Sequence, residues 1–226
     1  MTRVAVLASG SGTNLQAILD HQSTLQGSAL AHVVLVGSDR ADAGALARAR
    51  SAGITAVALD RTARSTGLMP MLAAHRIEMV VLAGYLRLVP AEVVSHFRGR
   101  ILNVHPALLP AFGGPGMYGH HVHEAVIASG ARLTGPTVHF VDERFDEGPI
   151  IAQAAVPVLP SDTPDELARR VLEAEHRLYP RVVQAVAAGR IRLGRDNRVI
   201  YDGDPDLRPL DVARSAAADS FPRSTS

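Results

Sequence analysis

The chain of 226 residues contains no cysteine. This absence excludes disulfides, thiolate metal sites, iron–sulfur clusters and a cysteine nucleophile. Lysine is also absent, because all 23 basic residues are arginine. Schiff-base catalysis and a phosphate-binding loop built around lysine are therefore excluded as well.

The sequence also lacks an excess of positive or negative charge, and it contains no long hydrophobic segment. The formal net charge is +1 with the signs interspersed, so nothing indicates a nucleic-acid partner. No apolar run approaches the roughly 20 residues that span a bilayer, and the N-terminus lacks the pattern of a secretion signal. We therefore expect no membrane association and a cytoplasmic location, which agrees with the lack of cysteine.

The composition predicts one sizeable core, since 47% of the residues are hydrophobic and 20% are charged. We predict a single domain over residues 1–205. Residues 206–226 are expected to form a disordered tail, because Ala, Ser, Arg and Pro leave little there to bury.

Short β-branched runs alternate with Ala/Leu-rich segments of helical period in the first half, which is typical of βαβ units. Strands are predicted at 3–8, 32–37, 55–59, 79–83 and 101–105, and helices at 14–21, 43–52, 67–75 and 91–97. In the second half, two apolar strands at 133–141 and 150–158 should pair antiparallel. A capped helix should begin near 161–166 and run to about 188, followed by a hairpin at 192–201 turning at 194–197. The sequence thus predicts an α/β, doubly wound, mostly parallel Rossmann-like sheet with an antiparallel addition in the C-terminal half.

A glycine-containing turn follows the first predicted strand and opens the first helix. Backbone amides at Gly12, Thr13 and Asn14 would there meet the positive end of the helix dipole, an arrangement that favours phosphate. The alternative is a tight turn capped by Thr13. The dinucleotide pattern is incomplete, and we identify no ribose-binding acid at the end of the second strand.

Asn103 and His105 end the fifth predicted strand, at the sheet edge where open parallel sheets bind ligands. Two residues apart on a strand, they share one face and could both donate hydrogen bonds to a developing oxyanion. A buried pair satisfied by the backbone is an equally good interpretation. Asp146 lies in the turn between the late strands, where aspartate is a common turn former. Only proximity to His105 would indicate a functional role instead.

Histidines at 120, 121 and 123 suggest a metal site, but the following residues are typical of an ordinary helix and we expect no metal. Four glycines between Gly113 and Gly119 predict instead a flexible loop that borders the site.

Five motifs together resemble the phosphoribosylglycinamide (GAR) formyltransferases of the folate-dependent formyltransferase family, over about residues 1–200. They are SGSGTNLQ at 9–16, LAGYLR at 82–87, NVHPALLP at 103–110, VHFV at 138–141 and DEGP at 146–149. The resemblance implies transfer of a formyl group from the co-substrate 10-formyltetrahydrofolate to the amine of glycinamide ribonucleotide, in de novo purine biosynthesis. It implies small-molecule substrates, no metal and no covalent enzyme intermediate, and we expect a monomer or homodimer.

The same resemblance assigns roles to individual residues. Asn103 and His105 would polarise the formyl oxygen, and Asp146 would orient His105 and assist proton transfer. Gly12, Thr13, Asn14 and Glu175 would bind the phosphate and ribose of the ribonucleotide. The folate site would comprise Arg61, Leu86, Arg87, Leu88, Val89, Asn103, Val141, Asp142 and Asp146.

Two other classes of function remain open at this point. A relative with the same chemistry could use water or methionyl-tRNA as acceptor, although these enzymes usually carry an additional N-terminal regulatory or basic C-terminal domain, which we do not expect here. A non-catalytic nucleotide-binding module would need only the glycine loop, and its role would survive replacement of His105.

Overall fold

The structure, a computed structural model, describes residues 1–202, so the predicted tail and the predicted domain end lie outside the described residues. Strands in the first half are β1 (Thr2–Leu7), β2 (Ala31–Ser38), β3 (Thr55–Ala58), β4 (Met79–Leu82) and β5 (Ile101–His105). Helices between them are α1 (Thr13–Thr24), α2 (Gly44–Ser51), α3 (Arg61–Ser65), α4 (Leu68–Ala74) and α5 (Ala91–His96). All predicted elements of this half are present, and α3 is an additional turn of helix that Asp60 caps through the Ala63 amide.

The second half contains α6 (His120–Ala128), β6 (Leu133–Thr134), β7 (Thr137–Phe140), β8 (Ile150–Gln153), β9 (Val156–Pro157), α7 (Pro164–Ala187), β10 (Ile191–Leu193) and β11 (Val199–Tyr201). Seven strands form the central sheet in the order β3-β2-β1-β4-β5-β7-β8. Pairings from β3 to β5 are parallel, whereas β5–β7 and β7–β8 are antiparallel. The predicted α/β sheet with its antiparallel addition is therefore confirmed.

Helices cover both faces of the sheet. One apolar cluster joins it to α1, α2, α6 and α7, and a second joins its other face to α4 and α5. The strands between these layers are apolar on both faces, as burial on both sides requires. This packing leaves the carboxyl ends of β1, β4 and β5 as a common edge for the site.

Each of the two predicted late strands is broken in the middle, so the prediction of two continuous strands is wrong. The break follows Thr134, where Gly135 has a φ of 138° and a Cβ would lie 1.8 Å from the Ala154 carbonyl oxygen. Since only glycine tolerates that approach, the chain leaves the main sheet there. Beyond the break, β6 and β9 pair in a separate two-stranded sheet.

The C-terminal helix begins as predicted, with a capping box between Thr163 and Glu166. Tyr179, fully buried on α7, donates its hydroxyl hydrogen to the carbonyls of Leu82 and Leu102 at 3.0 and 3.1 Å. These contacts fix α7 across the ends of β4 and β5. The predicted hairpin is present as β10–β11.

Candidate active site

A cavity of about 550 Å³ opens at the carboxyl ends of β4 and β5, between the loops that follow them and α7. Of the residues predicted for the site, its walls contain Asn14, Leu86, Arg87, Leu88, Val89, Asn103, His105, Val141, Asp142, Asp146 and Glu175. Gly12, Thr13 and Arg61 are not among the lining residues. Arg61 follows β3 at the edge of the sheet, where β2 and β1 separate it from β4, so the structure does not bring it to the cavity.

Three polar side chains meet at the base of this cavity. His105 Nδ1 lies 3.4 Å from Asp146 Oδ2, and the Asn103 amide nitrogen lies 3.4 Å from Asp146 Oδ1. His105 is 3% exposed and the Asp146 side chain 11%, so these interactions are largely screened from water. The structure therefore brings together the three residues that the sequence places on β5 and in a distant turn.

Asp146 is not a solvent-facing turn former. Its φ of 58° is in the left-handed region, and its carboxylate turns inward to accept the Gly114 amide at 3.0 Å. Burial disfavours its charge, but His139, His105 and the Gly114 amide outweigh burial and hold the pKa of Asp146 below its ordinary value. Asp142 forms the turn instead, accepting the Arg144 amide at 2.9 Å.

His105 is held from both sides. Its Nε2 lies 2.8 Å from the carbonyl oxygen of Phe112, which can only accept, so Nε2 carries a hydrogen. Burial lowers the pKa of His105, although the charge of Asp146 and the Phe112 carbonyl oppose that shift. The charge of Asp146 therefore favours a proton on an imidazole whose charge burial disfavours.

His139 is a site residue to which sequence reasoning gave no role. In the antiparallel register of β5 and β7 it lies directly opposite Asn103, whose amide nitrogen is 3.1 Å from His139 Nε2. Its Nδ1 donates to the Phe140 carbonyl at 2.9 Å. The signal was the position of His139 between the apolar residues Val138 and Phe140, but only the strand register connects it to Asn103.

The glycine loop packs closely against α2. Gly12 precedes α1 with a φ of 76°, and a Cβ there would lie 2.6 Å from the Cα of Ala45. The helix start has no side-chain cap and no acidic residue in its first turn, so Thr13 is not the cap that the alternative interpretation expected. Among residues 1–202, no side chain caps the first amides of α1.

We expect Gly12→Ala to lower the free energy of unfolding by roughly 2 kcal/mol or more, because a left-handed backbone and the contact with Ala45 both oppose the methyl group. Gly10→Ala is the matched control, since no atom beyond its two chain neighbours lies within 4 Å of a Cβ there. Urea unfolding of both variants measures the difference. Equal stability of the two would show that Gly12 is not required by packing.

Asn14 and Glu175 form a buried polar pair on the α7 side of the cavity. The Asn14 amide donates to Glu175 Oε2 at 2.5 Å, whereas Asn14 Oδ1 is buried without a partner among the described residues. Burial raises the pKa of Glu175 to about 7, against the opposing effect of the Asn14 hydrogen bond. The pair could thus accept hydrogen bonds from hydroxyl groups of a ligand.

The loop after β4 forms an apolar wall opposite this pair. Leu86 and Leu88 are about half exposed at the rim, while Val89 is buried. Ser9 fixes the loop, donating its amide to the Gly84 carbonyl and accepting the Leu86 amide on its hydroxyl, both at 3.0 Å. A flat apolar ligand with polar edges fits between such a wall and the Asn103 cluster.

His123 also lines the cavity, and burial lowers its pKa to about 4. His120 and His121 lie at the start of α6, beside the carboxylates of Asp165 and Glu124. Within residues 1–202, no three histidine or acidic side chains are arranged to hold a metal ion. No helix in this described part of the chain is long and apolar enough to cross a membrane.

Comparisons with known proteins agree with this geometry. The sequence profile of the formyl transferase family matches residues 2–183. Phosphoribosylglycinamide formyltransferase of Escherichia coli is 40% identical, over 88% of this chain and 93% of that protein. The chloroplastic phosphoribosylglycinamide formyltransferase of Arabidopsis thaliana is 48% identical, over 86% of this chain and 68% of that protein.

Solved structures are similar over most of the chain. Glycinamide ribonucleotide transformylase 1 of Symbiobacterium toebii is 46% identical and superimposes with a TM-score of 0.81, covering 90% of this chain and 95% of that one. The chain spans only 64% of a second plant relative and 20% of the trifunctional purine biosynthetic proteins of cattle and chicken. The match over nearly the full length of the bacterial proteins decides the assignment. The chain belongs to the formyl transferase family and, within it, to the phosphoribosylglycinamide formyltransferases.

Proposed function

We propose that the protein transfers the formyl group of 10-formyltetrahydrofolate to the amine of glycinamide ribonucleotide, as a step of purine biosynthesis. The observation that carries the proposal is the cluster of Asn103, His105 and Asp146 at the base of a cavity with two unlike sides. An apolar wall on one side suits the folate, and Asn14 of α1 with Glu175 on the other suits a ribonucleotide.

Two side chains stabilise the formyl oxygen. The Asn103 amide and the His105 ring donate hydrogen bonds to this oxygen as negative charge develops on it. The longer of the two Asn103 contacts, 3.4 Å to Asp146, is the weaker one, so this N–H can turn to the substrate. When bound, 10-formyltetrahydrofolate supplies the formyl group on a nitrogen that can leave as an amine.

Proton transfer involves His105 and Asp146. As the acceptor nitrogen bonds to the formyl carbon it loses a proton, and the folate nitrogen gains one as its bond to that carbon breaks. Asp146, ionised at neutral pH, stabilises a positive charge on His105 and assists this movement. Such a reaction requires no nucleophilic side chain and no covalent enzyme intermediate.

The α7 side of the cavity favours a ribonucleotide over water as acceptor. Glu175 and the partnerless Asn14 Oδ1 offer acceptor oxygens to ribose hydroxyls. The uncapped start of α1 at Gly12, Thr13 and Asn14 offers amide donors to a phosphate. Water would need neither feature.

The test is an acceptor series with 10-formyltetrahydrofolate, in which the deformylated folate is followed by absorbance. We expect formation of deformylated folate with glycinamide ribonucleotide and none above background with buffer alone or glycinamide. An equal rate in buffer alone would make the protein a hydrolase and overturn the proposal.

The loop over residues 112–119 must move if His105 is to act on the substrate, because the Phe112 carbonyl occupies its Nε2 hydrogen. We therefore expect a protease to cleave this glycine-rich loop in the free protein and to cleave it more slowly when the ribonucleotide is bound. Limited proteolysis followed by mass spectrometry locates the cuts. Cleavage at the same rate across saturating ribonucleotide would contradict this expectation.

A further inference from the structure

A buried carboxylate outside the cavity touches one of its walls. Asp39 directly follows β2, and its Oδ2 lies 2.7 Å from the Nε of Arg87 in the loop after β4. The Asp39 side chain is 2% exposed, whereas the Arg87 side chain is 57% exposed and lines the cavity. The sequence analysis identified no ribose-binding acid at the end of the second strand, and the acid that occupies this position, Asp39, contacts Arg87.

The backbone of the loop after β4 is fixed by Ser9, through contacts that do not include Arg87. Strand β1 lies between β2 and β4, and Ser9 at its end bonds to the Gly84 carbonyl and the Leu86 amide. Asp39 contacts the guanidinium group of Arg87 directly. Its carboxylate also interacts with the Ser9 hydroxyl, whereas the main-chain bond from Ser9 to Gly84 does not involve Asp39.

The charge of Asp39 and the donor atoms of Arg87 determine the effect of their contact. Burial opposes ionisation of Asp39, but the Ser9 hydroxyl and the Arg87 guanidinium hold its pKa below the ordinary value. Bonding through Nε leaves the two terminal nitrogens of Arg87, with four N–H groups, for another acceptor. An arginine fixed in this way loses less rotamer freedom when a ligand oxygen binds to it.

We propose that Asp39 is a positioning residue, which orients the Arg87 guanidinium so that its terminal nitrogens bind a carbonyl or carboxylate oxygen of the folate co-substrate. The inference rests on the proposed function for the identity of the ligand. It adds a residue outside the cavity to the determinants of folate affinity.

The variant Asp39→Asn keeps the shape of the side chain and removes its charge. We expect the dissociation constant of 5-formyltetrahydrofolate, measured by titration calorimetry, to rise about tenfold. The KM of glycinamide ribonucleotide, the kcat at saturating folate and the melting temperature should stay near the wild-type values. Asp42→Asn is the matched control, because Asp42 is an exposed acid in the same segment, 3.6 Å from Arg40.

A double-mutant cycle with Arg87→Met separates positioning from a structural role. If Asp39 acts through Arg87, adding Asp39→Asn to Arg87→Met should change folate affinity less than twofold. Additive losses, a lowered melting temperature with weaker binding of both substrates, or an unchanged folate dissociation constant in Asp39→Asn would each overturn the proposal.

The binding measurement requires no turnover, so the two proposals can fail separately. Folate binding that depends on Asp39, in a protein that formylates no acceptor, would retain the positioning role and contradict the proposed reaction. Absence of folate binding by the wild-type protein would contradict both.

Discussion

Replacing Asp146 with asparagine should lower kcat at least about a hundredfold, with small changes in the KM of either substrate. The carboxylate lies 3.4 Å from His105 Nδ1, and its charge opposes the effect of burial on that imidazole. Without the charge, burial would lower the pKa of His105 further. The ring would then stabilise the developing oxyanion less and transfer protons less readily. Steady-state kinetics with each substrate varied in turn measures the effect.

The stability of the Asp146→Asn variant should fall only modestly. The carboxylate now accepts hydrogen bonds from both the Gly114 amide and the Asn103 side chain. The NH2 group of the introduced asparagine would face one of these two donors, and that hydrogen bond would be lost. Glu147→Gln is the matched control in the same turn, since Glu147 pairs with Arg144 at the surface. A kcat within a few-fold of wild type for Asp146→Asn would make Asp146 a structural residue.

Replacing Glu175 with glutamine should stabilise the free protein by roughly 3 kcal/mol at pH 8 and weaken ribonucleotide binding. The pKa of Glu175 is about 7 in the folded protein, compared with an ordinary 4.5. Between these values the folded state retains a proton that the unfolded state has released. The contribution of Glu175 to stability is therefore absent below pH 4.5 and becomes increasingly unfavourable as the pH rises to about 7.

Urea unfolding of the wild type and of Glu175→Gln at pH 5 and pH 8 tests this expectation. The stability difference should be small at pH 5 and large at pH 8, whereas the exposed Glu173→Gln control should show no such pH dependence. Because ribose hydroxyls favour the ionised carboxylate, ribonucleotide affinity should also rise from pH 6 to pH 8 in the wild type. A stability difference that does not vary with pH would refute the raised pKa.

Much of the fold follows from the sequence because each parallel strand is a short apolar run between helices of clear period. The start of α7 was also predictable, because the Thr163 hydroxyl, the proline and the acidic residues that begin the helix are adjacent in the sequence. The break at Gly135 could not be predicted from the sequence, because it depends on the close approach of Ala154, which is distant in the chain. Local patterns predict elements, and contacts between distant segments decide where they end.

The same distinction separates the site residues that the sequence predicted from those that it did not. Asn103 and His105 were found because both end one strand at the ligand edge of the sheet. His139 and Asp39 were missed because their importance depends on partners distant in sequence, Asn103 on β5 and Arg87 in the loop after β4. Asp146 needed the structure for another reason, since its turn residues allow either a solvent-facing or an inward carboxylate, and only the tertiary contacts select the inward one.

The fate of the formyl carbon tests the central claim most directly. The wild-type protein is incubated with 10-formyltetrahydrofolate carrying ¹³C in the formyl group, together with glycinamide ribonucleotide, and the products are followed by NMR. The label should appear on the nitrogen of the ribonucleotide in an amount equal to the folate deformylated, and it should appear there at least about a hundredfold more slowly with Asp146→Asn. Label recovered as free formate, with none on the ribonucleotide, would contradict the account.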